Sequence, residues 1–97
     1  MWVKVHSSSR KVVAICDENL LGKRFEQGIK QLQITESFYK GEKMSKEEVL
    51  NLIRAESSSA TFNIVGKESV NLAIEAGVIE KNSASKVKNI PFILIVN

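Results

Sequence analysis

Residues 63–79, NIVGKESVNLAIEAGVI, form the clearest folding pattern in the sequence. An apolar run ends at Gly66, and a helical pattern with its apolar residues on one side follows. Gly77 then falls where a left-handed C-terminal cap is expected, because glycine adopts that conformation without a steric cost. The pattern predicts a strand over 60–65, a glycine corner and a helix over 67–76. A longer helix that contains Gly66 is the alternative.

A second helix is predicted earlier in the chain. Ser45 is followed three residues later by Glu48, which is the spacing of a reciprocal capping box. Acidic residues in the first turn suit the helix dipole. Apolar residues then recur on one side up to Arg54, and a serine-rich run follows. We therefore expect a helix over 46–55.

The C-terminal segment predicts a strand. The run 90–96 is apolar throughout, and Pro91 marks its beginning because proline cannot donate to a ladder of hydrogen bonds. The five consecutive apolar residues after the proline are typical of a strand that is covered on both faces.

The N-terminal residues predict a β-hairpin. Residues 1–6 alternate between two faces, and residues 11–16 are rich in β-branched side chains. The polar residues between these runs leave Arg10 and Lys11 near the hairpin tip. On the polar face of the first strand, Trp2 is a candidate for stacking on an unpaired base.

Shorter elements are predicted after the hairpin. Residues 17–22 are interpreted as a single helical turn that Asp17 caps and Gly22 ends. Residues 29–34 alternate weakly and are predicted to add a third strand to the sheet. Residues 35–41 are predicted to be a loop whose aromatic residues cover one end of the core.

Together these elements predict one α+β domain. The sheet is expected to be mostly antiparallel or mixed, with about four to five strands. The two main helices, near 46–55 and 67–76, are expected to pack on one face of it. A chain of 97 residues suits a single domain with a modest core.

The composition excludes several functional classes. No apolar run reaches about 18 residues, so no membrane span is predicted. The N-terminus lacks the layout of a signal peptide, which predicts a cytoplasmic protein. Cys16 and His6 are single residues of their types, which excludes an internal disulfide and a cysteine-based zinc site. No cofactor, metal or catalytic residue is predicted, because a free cysteine in an apolar run is more often a core residue than the partner of a histidine.

The positive charge is unevenly placed. The net charge is +3, and residues 1–30 hold six Lys or Arg against three acids, whereas residues 31–97 hold eight of each sign. A local basic surface favours a polyanionic partner. The candidate RNA contacts are Arg10, Lys11, Lys23, Arg24 and Lys67.

The candidates at the hairpin tip and at residues 22–24 depend on one assumption. The hairpin tip and the corner 22–24 must face one side, so that their side chains contact phosphates without sequence choice. The alternative is that they pair with surface acids such as Glu18 or Glu26. Lys67 lies at a helix start, where free amides favour an anion, although the adjacent Glu68 opposes one.

Four phrases resemble a known family. They are MWVKV at 1–5, CDENLLGK at 16–23, ESFYxG at 36–41 and the motif at 63–79. As a set they resemble the archaeal domain of unknown function 424 (DUF424) over nearly the whole chain. The family has no assigned activity, so the resemblance implies no catalytic residues. Its members tend to have histidine after the proline of the C-terminal strand, where this chain has Phe92.

The functional prediction combines the charge with this resemblance. By analogy, the family's archaeal distribution and compactness imply an accessory of the translation apparatus. We predict a small non-catalytic protein that associates with RNA or the ribosome. The alternatives are a protein–protein interaction module, either a homodimer or a complex subunit, that uses a sheet edge or the C-terminal strand, and then a small enzyme.

Overall fold

Short strands and three helices alternate along the chain. The computed structural model describes every residue from 1 to 97. In chain order the elements are β1 (Trp2–Ser7), β2 (Lys11–Cys16), a 3-10 turn (Glu18–Leu20), β3 (Arg24–Gln27), β4 (Lys30–Gln33), α1 (Glu36–Tyr39), β5 (Glu42–Lys43), α2 (Lys46–Glu56), β6 (Thr61–Val65), α3 (Lys67–Glu75), β7 (Ser85–Val87) and β8 (Ile90–Ile95).

Six strands form one mixed sheet in the order β5-β1-β2-β6-β8-β7. The central strands β2 and β6 run parallel, in a register that pairs Val13 with Phe62 and Cys16 with Val65. All other neighbours are antiparallel. The α+β class is confirmed, but the sheet is larger than predicted. Its edge strands β5 and β7 have two and three residues, which is too short for a recognisable alternation.

Helices α2 and α3 pack on one face of the sheet, as predicted. Val49 and Ile53 from α2 and Ala73 from α3 are fully buried against the central strands, where Ile15 and Phe62 belong to the same core. Burial of a large apolar side chain contributes about 1.5–3 kcal/mol. This core is therefore the main source of stability for both helices.

The predicted helix ends are confirmed. Ser45 Oγ accepts a hydrogen bond from Glu48 N–H at 3.2 Å, and Ser45 N–H donates to Glu48 Oε1 at 3.0 Å. Gly77 follows α3 with φ 79°, in the left-handed region. Gly66 separates β6 from α3, so the alternative of one longer helix through this glycine is wrong.

The other face of the sheet is covered differently from the prediction. Strands β3 and β4 form a separate two-stranded sheet, so residues 29–34 do not add a strand to the main sheet. Gly28, at φ 62°, turns the chain back directly after β3, and β4 therefore pairs with its immediate neighbour. Leu32 and Ile34 are buried in a second core with Cys16.

Residues 35–41 are also organised differently from the prediction. The helix α1 replaces the predicted loop, and its four residues are too few to show a helical period in the sequence. Tyr39 is 6% exposed and belongs to the second core, against which Phe38 packs. These aromatics therefore pack in the second core, on the other face of the sheet from α2 and α3.

The C-terminal strand β8 lies between β6 and β7. The prediction that it is covered on both faces is wrong, because Leu94 is 57% exposed. The smaller β3–β4 sheet contacts β7, and Phe92 packs into the second core, but this cover does not extend to Leu94. No helix in the fold combines the length and apolar character that crossing a membrane requires.

Candidate nucleic-acid interface

A carboxylate from a distant part of the chain caps the start of α3. Asp17, only 6% exposed, follows β2 directly. Its Oδ2 accepts from Glu68 N–H at 3.1 Å, and its Oδ1 accepts from Ser69 N–H at 2.8 Å and from Ser69 Oγ–H at 2.7 Å. The prediction that Asp17 caps its own turn is wrong, since its side chain makes no bond there. Two of the amides that would attract a phosphate at this helix start, those of Glu68 and Ser69, are therefore already satisfied.

Gly66 allows this carboxylate to approach. Its φ of 107° lies where other residues are strained, and a Cβ at this position would overlap the Asp17 carboxylate. Glu68 Oε1 lies 3.0 Å from Lys46 Nζ on α2. The charge of Glu68, which was expected to oppose an anion at Lys67, is therefore paired with a lysine of α2.

The predicted contacts at the hairpin tip lie far from those after β2. Arg10 and Lys11 are at the tip, and Cys16 ends β2 at the opposite end of the hairpin. A strand of six residues spans about 17 Å, which separates the two regions. Arg10 is exposed, and Lys11 Nζ contacts Glu56 Oε1 at 3.1 Å.

Lys23 and Arg24 lie beyond the 3-10 turn that follows β2. Lys23 N–H donates to Leu20 O at 3.0 Å, and the Arg24 side chain pairs with Glu26. The expectation that the hairpin tip and this corner form one basic patch is therefore wrong. The alternative, that these side chains pair with surface acids, holds for Arg24 and also for Lys11, whose partner is on α2.

A basic groove lies between α3, the loop that follows α3 and the β7–β8 hairpin. Its volume is about 310 Å³. Three elements each contribute lysine and asparagine side chains to its rim: Lys67, Asn71, Lys81, Asn82, Lys86 and Asn89. Its remaining surface is apolar: Val70, Ile74, Ala84 and Pro91. We call this region the α3 groove.

The charged side chains that line the α3 groove are all lysines. No acidic side chain lines it, and none of its three lysines forms an ion pair. Five other basic side chains of the protein are paired: Lys11, Arg24, Lys40, Lys43 and Lys46. Of the predicted RNA contacts, Lys67 alone belongs to the α3 groove.

Cys16 and His6 do not form a catalytic pair. Cys16 is fully buried, and burial, with the adjacent Asp17 charge, raises the pKa of its thiol to about 12. His6 pairs with Val12, four positions along β2 from the cysteine. Its Nε2–H donates to the Phe38 carbonyl at 2.8 Å, and its ring stacks on Phe38 with centroids 4.6 Å apart. No cluster of three or more His, Cys, Asp or Glu side chains is placed to hold a metal ion.

The polar face of β1 is covered by α1 and the residues after it. Lys4 Nζ donates to Ser37 O at 2.8 Å. The ammonium groups of Lys40 and Lys43 lie 5.7 Å and 5.5 Å from the Trp2 ring centroid. The ring of Trp2, the predicted stacking residue, therefore already has cation–π contacts with two lysines of its own chain.

The fold and this groove define a small α+β domain in which a strand–glycine–helix unit completes a mixed sheet beside a basic surface. The chain belongs to the DUF424 family, described as a protein of unknown function, whose model matches residues 5–97. It is also similar to an uncharacterized conserved protein from Methanopyrus kandleri of known crystal structure, with a TM-score of 0.83 and 25% identity, over 97% of this chain and 88% of that one. No curated protein matches the chain.

Proposed function

We propose that this protein is a non-catalytic RNA-binding protein that contacts phosphates through the α3 groove. One observation carries the proposal: three lysines from three parts of the fold line one groove, and no acidic side chain lines it. When lysines neutralise phosphates, the counterions condensed on the RNA are released. This release supplies affinity that does not depend on the base sequence. The proposed partner is ribosomal RNA, which follows the analogy with the translation apparatus.

The position of Lys67 supports this role. A cation in the first turn of a helix is disfavoured by the helix dipole, by about 0.3–1 kcal/mol when exposed. Lys67 is the first residue of α3 and is exposed. A residue that breaks a local stability rule is a candidate for function. The non-catalytic part of the proposal is supported by the buried Cys16 thiol and by His6, whose Nε2–H is used by a backbone carbonyl.

The proposal is tested by the salt dependence of binding to ribosomal RNA. A Lys81→Ala/Lys86→Ala variant should lower the affinity by about tenfold, because two phosphate contacts are lost. It should also reduce the slope of log affinity against log salt by about two. Fluorescence anisotropy from about 50 mM to about 200 mM salt measures both quantities.

The matched control removes two positive charges elsewhere. Arg10→Ala/Arg54→Ala changes the net charge equally, at side chains that are exposed and unpaired. We expect its affinity and salt slope to stay close to those of the unmodified protein. Equal losses in both variants would contradict a role for the α3 groove, and no binding by the unmodified protein at low salt would contradict the proposed function.

A second candidate function is a protein–protein interaction module, and exposed apolar residues favour it. Leu94 and Val96 are 57% and 65% exposed at the uncovered end of β8. Exposed apolar surface of this kind is often an interaction site when it is contiguous. A second copy of the chain is the simplest partner. Light scattering at high protein concentration tests this, and a monomer at every concentration would exclude the homodimer.

A further inference from the structure

The α3 groove combines two surfaces of different chemistry. Its floor is apolar, with Val70 only 4% exposed, Pro91 buried and Ile74 half-buried. Its rim is cationic. A phosphate-binding surface needs the lysines but not the floor, whereas a nucleobase needs an apolar surface to lie on. The volume of about 310 Å³ is at the lower end of the range for small-molecule sites.

The amide groups of the rim are free to bind. The side chains of Asn71, Asn82 and Asn89 are exposed and form no hydrogen bond within the protein. Each asparagine offers a donor and an acceptor side by side. This is the pattern that pairs with the edge of a base, and an unpaired base exposes such an edge.

The β7–β8 turn holds one side of the groove in place. Lys88 and Asn89 adopt positive φ angles of 51° and 63°. Lys88 N–H donates to the Gln27 side-chain oxygen at 2.8 Å, which ties the turn to the β3–β4 sheet. A turn fixed in this way loses little conformational freedom when a ligand binds.

We infer that the α3 groove takes one unpaired nucleotide of an RNA strand. The base lies on the apolar floor against Ile74 and Ala84, its edge bonds to Asn71 and Asn89, and the flanking phosphates lie against the groove lysines. The inference rests on the proposed function, which requires phosphate contacts alone. It adds that the protein prefers single-stranded RNA to a duplex and distinguishes between bases.

The test compares single-stranded homopolymers, an RNA duplex of equal length and the four nucleoside monophosphates. We expect single strands to bind about tenfold more tightly than the duplex, with one base preferred. The monophosphates alone test whether the strand is needed. Binding is followed by anisotropy for the RNAs and by chemical-shift changes for the monophosphates.

The variants separate base contacts from phosphate contacts. Asn71→Ala/Asn89→Gly removes two amides, and glycine at position 89 tolerates the positive φ. This variant should lose the preference for single strands and keep the salt slope. Asn51→Ala, at an exposed position on α2, is the control and should change neither.

The outcomes distinguish the nucleotide site from the proposed RNA-binding function. Loss of the single-strand preference in Asn71→Ala/Asn89→Gly, but not in Asn51→Ala, supports the nucleotide site. Equal affinity for single strands and duplex in the unmodified protein overturns the nucleotide site and leaves the phosphate contacts intact. Binding of monophosphates without binding of RNA overturns the proposed function and the RNA strand as ligand.

Discussion

Asp17 and Gly66 join the ends of the two parallel strands to the start of α3. The carboxylate accepts three hydrogen bonds from Glu68 and Ser69, and the glycine leaves space for it. A hydrogen bond to a charged group contributes about 1.5–3 kcal/mol. The two residues lie 49 positions apart in the sequence. The glycine corner could be predicted from local pattern, but its partner could not, because no local rule relates residues so far apart.

Replacement of Gly66 tests this arrangement. We expect Gly66→Ala to lower the free energy of unfolding by about 2–4 kcal/mol, because alanine is strained at φ 107° and its Cβ overlaps the Asp17 carboxylate. Gly28→Ala, also at positive φ but with open space around it, should cost about 1 kcal/mol. Urea unfolding compares the two, and equal losses would contradict the role of the cap.

Cys16 predicts a loss of stability at alkaline pH. Burial raises its pKa from 9.0 to about 12, so the unfolded chain loses the thiol proton first as the pH rises. The free energy of unfolding should therefore fall between about pH 9 and about pH 12. Burial likewise raises the pKa of Tyr39 from 10.0 to about 12, which adds to the fall above pH 10.

The measurement is the urea midpoint between about pH 8 and about pH 11. Cys16→Ala removes the thiol titration, and its midpoint should fall less steeply than that of the unmodified protein. Identical slopes in the two proteins would show that the thiol does not contribute to this dependence.

The elements with strong local signals could be predicted from sequence. Helix α2 has a capping box and an amphipathic pattern, and it begins and ends close to the predicted residues. Strand β4 was recognised, but its pairing was not, because alternation indicates a strand and not its neighbour. Helix α1 and strand β5 have four and two residues and depend on the packing around them.

The capping box of α2 gives a prediction for this element. Ser45→Ala should lower the free energy of unfolding by about 1 kcal/mol, because the Glu48 amide loses its acceptor. Hydrogen bonds from Ser45 lower the pKa of Glu48 below 4.5, so its contribution is present above that pH and is lost as the pH falls through the folded value. Denaturant unfolding near neutral and acidic pH measures both effects. Ser58→Ala, in the exposed loop after α2, is the control and should change neither.

The β3–β4 hairpin predicts a contrast between two apolar residues of one element. Leu32 is 8% exposed and packs in the second core, so Leu32→Ala should cost about 2–4 kcal/mol. Ile29, at the hairpin turn, is fully exposed, and Ile29→Ala should change stability by less than about 0.5 kcal/mol. Thermal unfolding of both variants checks the contrast. A large cost at Ile29 would indicate that this turn is covered in solution.

The distribution of charge over the whole molecule could be predicted only in part. The excess of basic over acidic residues in 1–30 predicts a basic surface there, but two of the four candidate RNA contacts in this segment pair with acids. Residues 81–97 contain three lysines and no acid, and the balance of the longer segment 31–97 conceals this. A shorter counting window would have found it. The meeting of this segment with Lys67 depends on the β6–β8 pairing, which joins distant parts of the chain.

Chemical-shift mapping of the isotope-labelled protein with single-stranded RNA tests directly whether the α3 groove is the RNA interface. If the α3 groove is the interface, the amides of residues 67–74 and 81–90 should shift, and those at the hairpin tip around Arg10 and at the end of α2 should not. Shifts confined to the hairpin tip and the end of α2, or no shifts at low salt, would contradict the account.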